Sequence, residues 1–183
     1  MNIRKEDYIS KAQREKRAGH RGMVFWFCGL SGAGKSTIAR AFEKQLFDEH
    51  KQVYVLDGDN IRHGLNSDLK FSMEDRSENL RRLAHLADIL ADAGFIVLVP
   101  AISPLKTQRD LAKSIIKSKF VEVYVSTSLN VCIDRDTKGL YKKALAGEIK
   151  DMTGIGSPFE IPENPDIKID SVEKIDLLNK FVN

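Results

Sequence analysis

Residues 23–37 read MVFWFCGLSGAGKST, and the rest of the chain is placed by reference to this run. Met23–Cys28 is continuously apolar and of strand length, Gly29–Ser36 has the spacing GxxxxGK[ST], and Thr37–His50 puts Ile38, Phe42, Leu46 and Phe47 on one helical face. A buried strand therefore passes through a glycine loop into an amphipathic helix. Each residue type in the loop has a physical task. Glycines let successive backbone N–H groups turn inward toward phosphate oxygens, and a helix beginning near Lys35 offers its positive dipole end to them. Lys35 reaches the outer phosphates, and the Ser36 hydroxyl is a ligand for Mg2+. The order strand, loop, helix is the one this mechanism requires, which sets aside a chance glycine-rich turn. By itself the motif specifies a nucleoside triphosphate site and no more.

Outward from that unit the chain alternates strand-like and helix-like segments, with no internal repeat or low-complexity tract. Gln52–Leu56 (QVYVL) is a second strand ending in the turn Asp57-Gly58-Asp59, and Phe95–Val99 (FIVLV) is a third ending at Pro100. Between them Ser72 suits a helix N-cap with Asp75 three residues on, and Leu80, Leu83, Ala84, Leu86, Ala87 and Leu90 recur at helical spacing until Gly94. Phe120–Val125 and Ile167–Ile169 are the fourth and fifth strands, with helices expected over Thr107–Ser118 and Ser171–Val182. Near-continuous apolar strands separated by helices predict an α/β fold: a mostly parallel five-stranded sheet flanked by helices.

Composition narrows the function classes. The 183 residues suit one domain, and 42% hydrophobic content can build a core without metal or disulfide staples. A net charge of +3 is too weak a field to make nucleic acid or an anionic membrane the main partner. The excess sits in a basic N-terminal arm, residues 1–21, with seven Lys/Arg against three Asp/Glu. That arm is expected either to cover a neighbouring subunit or to stay without order, with residues 22–183 forming a single domain. The longest apolar runs, Met23–Cys28 and Phe95–Ile102, fall short of the roughly 18–20 residues that cross a bilayer. A cytoplasmic location is expected. Cys28 and Cys132 lie in apolar contexts without CxxC partners, pointing to buried thiols, and the four histidines lack metal-ligand spacing.

The remaining carboxylates separate the nucleotide-binding classes. The third strand ends in Pro100-Ala101-Ile102-Ser103 with no acid, so a motor-type Walker B is missing there, and Asn179-Lys180 is followed by Phe181-Val182 rather than a guanine-reading Asp. Acids stand instead after the second strand, at Asp57 and Asp59, and the carboxyl ends of parallel strands face the ligand crevice. This suits a small-molecule phosphotransferase in which one carboxylate holds Mg2+ through water and the other orients an acceptor hydroxyl. Arg62, Arg76 and Asn79 either clamp an anionic acceptor, since guanidinium groups grip phosphate or sulfate in a fixed fork, or make surface ion pairs with Asp75 and Glu78. Phe71 either stacks on a base or packs into the core. The cation-rich segment Asp134–Ala144 is either a lid or a solvated helix face.

Taken together, Gly29–Thr37 (GLSGAGKST), Asp57–Asn66 (DGDNIRHGLN), Phe71–Asn79 (FSMEDRSEN), Ile102–Pro104 (ISP), Arg135–Ala144 (RDTKGLYKKA), Gly147–Ile149 (GEI), Thr153–Ile155 (TGI) and Pro162–Pro165 (PENP) resemble adenylylsulfate (APS) kinases, in the family's order and over roughly residues 20–170. The resemblance implies a P-loop NTPase fold with a mobile lid at about 135–155. It also implies MgATP-dependent transfer of the γ-phosphoryl group to the ribose 3′-hydroxyl of APS, giving PAPS. On this basis Gly29, Leu30, Ser31, Gly32, Ala33, Gly34, Lys35, Ser36, Thr37 and Arg135 bind ATP, and Ser36 and Asp57 serve Mg2+. Asp59 engages the acceptor hydroxyl, and Lys138 closes from the lid. Arg62, Phe71, Arg76, Asn79, Ile102, Ser103, Met152 and Thr153 form the APS site. Ser103 is also a position described in this family as a phosphoserine intermediate, although in-line transfer between positioned substrates needs none. A homodimer and association with ATP sulfurylase are implied as well.

Three positions depart from the family pattern. Ala101 and Met152 stand where Phe is usual, and Leu105 stands where an aromatic is usual. Base–aromatic stacking is worth about 1–3 kcal/mol, against about 0.3–1.5 kcal/mol for a thioether on an aromatic ring. APS binding weaker by several-fold at most is therefore expected. Two other functions stay open on the residues alone: a kinase of another small acidic nucleotide or alcohol, and a non-catalytic nucleotide-binding partner of ATP sulfurylase. Cys28, where Thr is common, is expected to be silent.

Overall fold

A computed structural model describes residues 9–182. Strand β1 (Met23–Cys28) is wholly buried at the centre of the molecule, because all six of its side chains are apolar and both faces of the sheet are covered. Five parallel strands pair in the order β2-β3-β1-β4-β5, with β2 at Val53–Val55, β3 at Ile96–Pro100, β4 at Lys119–Val125 and β5 at Ile167–Ile169. Strand alternation divides the core between the two faces. Met23, Phe25 and Phe27 meet Ile38, Ala39, Phe42 and Leu46 of helix α2 (Lys35–Asp48) on one face. Val24 and Trp26 meet Leu80, Leu83, Ala84, Ala87 and Ala91 of α4 (Met73–Asp92) and Ala112 of α5 (Lys106–Ile115) on the other. Among the described residues no helix is long and apolar enough to cross a membrane.

Element ends follow local chemistry. Helix α2 starts at Lys35, where the phosphate-loop reading puts it, because Gly34, at φ +102°, is its N-cap; it stops at Asp48, short of His50, which is in the left-handed region at φ +59°. The turn Asp57-Gly58-Asp59 is instead the start of a short helix, α3 (Gly58–Ile61), capped by the Asp57 carboxylate, which accepts from the Asp59 amide at 2.9 Å. Helix α4 keeps the expected cap, Ser72 Oγ accepting from the Asp75 amide. Helix α5 ends at Ile115, since the amides of Lys117 and Ser118 turn to the Asp88 carboxylate.

The C-terminal segment Val172–Phe181 is a 3-10 helix rather than an α-helix. Its apolar residues Val172, Ile175, Leu178 and Phe181 recur every three positions, and this spacing eclipses them on one face at three residues per turn. The described part of the basic arm, residues 9–21, lies on its own chain. Helix α1 (Lys11–Ala18) is capped by Ser10 and docked by Arg14 on Asp92 at 2.7 Å and by Lys11 on Ser118 at 2.8 Å. Residues 1–8 of that arm fall outside the described residues.

Candidate active site

The loop after β1 is held from behind by its carbonyls. Lys35 Nζ donates to Gly29 O at 2.9 Å and Leu30 O at 2.7 Å, Tyr141 Oη donates to Ser31 O at 2.9 Å, and Thr127 Oγ1 donates to Ala33 O at 2.8 Å. The first-turn amides of α2 have no carbonyl within the helix to bond, so they remain available to a ligand. Gly29 is required here for space: a Cβ would stand 2.6 Å from Val125 O. Burial lowers the Lys35 pKa from 10.5 to about 8. An anion beside the ammonium would favour its charged form.

One cavity of about 720 Å³ joins this loop to the second cluster of predicted residues. Of the residues expected at the site, Gly29 and Leu30 lie behind the wall, where their carbonyls hold Lys35; all the others line the cavity. Asp57 and Asp59 stand at the carboxyl end of β2. The buried Asp57 has its second oxygen 3.8 Å from Arg40, and Asp59 Oδ2 accepts from Lys138 Nζ at 2.5 Å. Thus a cation from the segment after helix α6 (Leu129–Arg135) is already set against the strand-end acid. Helix α7 (Leu140–Leu145) continues that segment, which is tied down by the buried Tyr141 and by Asp136 accepting from the Tyr141 and Lys142 amides.

The arginine pair resolves in favour of the cavity. Glu78 is taken by Arg81 and Arg82, and Asp75 accepts from the Lys70 amide. Arg76 donates to Phe71 O and Asp151 O, which leaves further guanidinium donors for a ligand. Arg62 donates to Lys70 O at 2.8 Å, and its guanidinium lies 4.8 Å over the Phe71 ring. Phe71 is 69% exposed, so it is not a core residue. Asn79 is buried and accepts from Asn66 Nδ2 at 2.8 Å. Ala101, Met152 and Thr153 are buried in the wall, and Ile102 is partly covered.

Asp170, Ser171, Val172 and Glu173 also line the cavity and were missed by sequence reasoning. No motif marks them. Their position directly after β5 was the available signal, since strand carboxyl ends face the crevice. The chemistry of the donor set bears on Mg2+. The described residues contain no group of three or more His, Cys, Asp or Glu able to cage a metal. Ser36 and Asp57 instead offer hard oxygens beside the phosphate loop, which suits an ion that keeps waters and shares substrate phosphates.

The comparisons with known proteins agree with one another. The sequence model described as adenylylsulphate kinase matches residues 21–170. The chain belongs to the adenylylsulphate kinase family. An adenylyl-sulfate kinase from Prochlorococcus marinus is 52% identical over 164 residues, 89% of this chain and 82% of that relative. A probable adenylyl-sulfate kinase from Halalkalibacterium halodurans is 53% identical over 167 residues, covering 91% of this chain and 80% of its own length. Among solved structures, the Mycobacterium tuberculosis APS kinase in complex with AMPPNP and APS superposes with a TM-score of 0.83 at 53% identity, covering 87% of this chain and 98% of that one.

Proposed function

We propose that this chain transfers the γ-phosphoryl group of ATP to the 3′-hydroxyl of adenosine 5′-phosphosulfate, forming PAPS. The observation that carries the reading is the single cavity in which the phosphate loop, the Asp59–Lys138 pair and the Arg62, Arg76 and Phe71 cluster all meet. The relatives named above, about half identical over most of the chain, support it.

In this reading the loop amides, Lys35 and Arg135 hold the ATP phosphates. Ser36 and Asp57 would hold Mg2+, which supplies charge neutralisation at the β- and γ-phosphates. Phosphoryl transfer depends on positioning and electrostatics rather than covalent chemistry by the protein. Asp59 orients the acceptor hydroxyl and takes its proton, while Lys138 passes from Asp59 toward the charge developing on the transferring group. Arg62 and Arg76 bind the phosphosulfate, and Phe71 and Met152 flank the adenine. The segment 135–155, acting as a lid, excludes the water that would otherwise hydrolyse ATP. A cytoplasmic homodimer associating with ATP sulfurylase belongs to the same proposal, and light scattering of the purified protein tests its stoichiometry.

The deciding experiment offers APS, AMP, 3′-dephospho-coenzyme A and gluconate as separate acceptors under identical MgATP, with product identification. PAPS from APS alone is the expected result. Transfer to another acceptor with APS inert, or no transfer despite ATP binding, overturns it.

A further inference from the structure

Ser103 stands in the cavity wall with a backbone that ordinary residues avoid. Its φ is +43°, in the left-handed region where a side chain is strained, and it is almost fully buried. Such a conformation persists only where the surroundings over-determine it, and the structure shows what does so. The buried Arg109, on α5 and outside the cavity, donates from Nη1 to Ser103 O at 2.9 Å and to Pro104 O at 3.2 Å, while its Nε lies 3.0 Å from Glu122 Oε1 on β4. The Ser103 hydroxyl accepts from Trp26 Nε1 at 2.9 Å, and the preceding carbonyl, Ile102 O, accepts from the Gly29 amide at 3.3 Å. One guanidinium thus grips two consecutive carbonyls of the wall, which is tied in turn to the first residue of the phosphate loop. Arginine suits this because its planar fork presents several donors in fixed directions, whereas an ammonium is a single point charge.

We infer that Arg109 is a positioning residue for the reaction, holding Ile102–Pro104 in the strained shape that presents the acceptor wall, with Glu122 serving only to balance its charge. The inference rests on the acceptor reading above. A purely structural ion pair would respond alike to loss of either partner; a positioning clamp would not.

The test compares Arg109→Met, Arg109→Lys and Glu122→Gln with the unsubstituted protein. It reads KM for APS and for ATP separately, the thermal midpoint, and the emission spectrum of Trp26, the only tryptophan in the chain. Both Arg109 variants are expected to raise KM for APS at least about tenfold, within the roughly 10²-fold that a 1 Å misplacement costs. KM for ATP should stay within about twofold, and the Trp26 spectrum should shift as its bond to Ser103 changes. Glu122→Gln keeps both carbonyl bonds and is expected to lower the thermal midpoint while leaving KM for APS and the Trp26 spectrum as they were. If Arg109→Met does not fold, Arg109→Lys gives the same reading. An unchanged KM for APS in the Arg109 variants, or an equal rise in Glu122→Gln, overturns the assignment. Should the unsubstituted protein fail to phosphorylate APS, the functional reading falls and Trp26 emission alone decides the role of Arg109, an unshifted spectrum overturning it.

Discussion

Asp59 accepts from Lys138, and in the proposed reaction it exchanges that partner for the acceptor hydroxyl, so its removal should separate chemistry from nucleotide binding. Asp59→Asn is expected to lower kcat by about 10²–10⁴-fold, the span of a lost acid–base group. ATP affinity, measured by equilibrium titration, should stay close to that of the unsubstituted protein, because the phosphate loop is built without it. Normal turnover in this variant would remove Asp59 from the acceptor hydroxyl. The thiols give a second residue-scale prediction. Burial pushes the Cys28 pKa up to about 12 and raises that of Cys132, so both remain neutral and covered at ordinary pH. A thiol reagent at about pH 8 should label neither in the native protein and both in denaturant. The burial of Cys28 was readable from its place inside an apolar strand. The Arg109 clamp was not, since an Arg six residues past Ser103 in an amphipathic helix carries no mark of a carbonyl grip.

Helix α4 and the connection before it form one mechanical unit. Arg82 takes both oxygens of Asp68 at 2.7 and 2.8 Å and also Glu78, so the loop carrying Arg62 and Phe71 is strapped to the helix carrying Arg76 and Asn79. The two arginine bonds hold the Glu78 pKa near 2, below its ordinary 4.5. A depressed carboxylate stabilises the fold fully above its unfolded pKa and loses that contribution as pH falls through its folded one. The difference in thermal midpoint between the unsubstituted protein and Glu78→Gln should therefore be constant above about pH 4.5 and close toward pH 2. Because these groups are only partly covered, roughly 1 M salt should shrink it at every pH. A difference insensitive to both would place the effect of Glu78 elsewhere. At this scale Ser72 and Asp75 announced the start of α4 correctly, since a cap is a local interaction. The 3-10 form of Val172–Phe181 went unread because a three-residue apolar spacing fits either helix until its packing partner is known.

The whole molecule is a sheet clamped between two apolar layers, and the layers should be energetically separable from the site. Phe42 is fully buried on α2 and packs edge-on against Phe25 of β1 with ring centroids 5.3 Å apart. Phe42→Ala is expected to cost about 3–5 kcal/mol. At about 2–4 °C per kcal/mol for a chain of this size, the melting midpoint should fall by about 6–20 °C. Below that midpoint KM for ATP and for the acceptor should be unchanged, since the cavity is lined by other residues. A large rise in either KM would show that this layer and the site are one cooperative unit.

Residues 23–37 and the strand-end acids were enough to predict the fold class and to put the phosphate loop and Asp57 and Asp59 at one crevice, whereas the sequence leaves Arg62, Phe71, Arg76 and Asn79 between the cavity and other roles, and only the structure sets them on its wall. Each of those signals is local: backbone amides at a helix start, a carboxylate after a strand, apolar alternation. The meeting of Lys138 with Asp59 across 79 positions, of Arg109 with Ser103 and Glu122, and of Asp170–Glu173 with the phosphate loop was decided only by the tertiary structure. Asp59 and Asp170–Glu173 reach one cavity because parallel strands bring their carboxyl ends to one edge of the sheet regardless of separation along the chain, and Arg109 meets Glu122 because α5 packs back along the sheet; sequence spacing encodes neither distance.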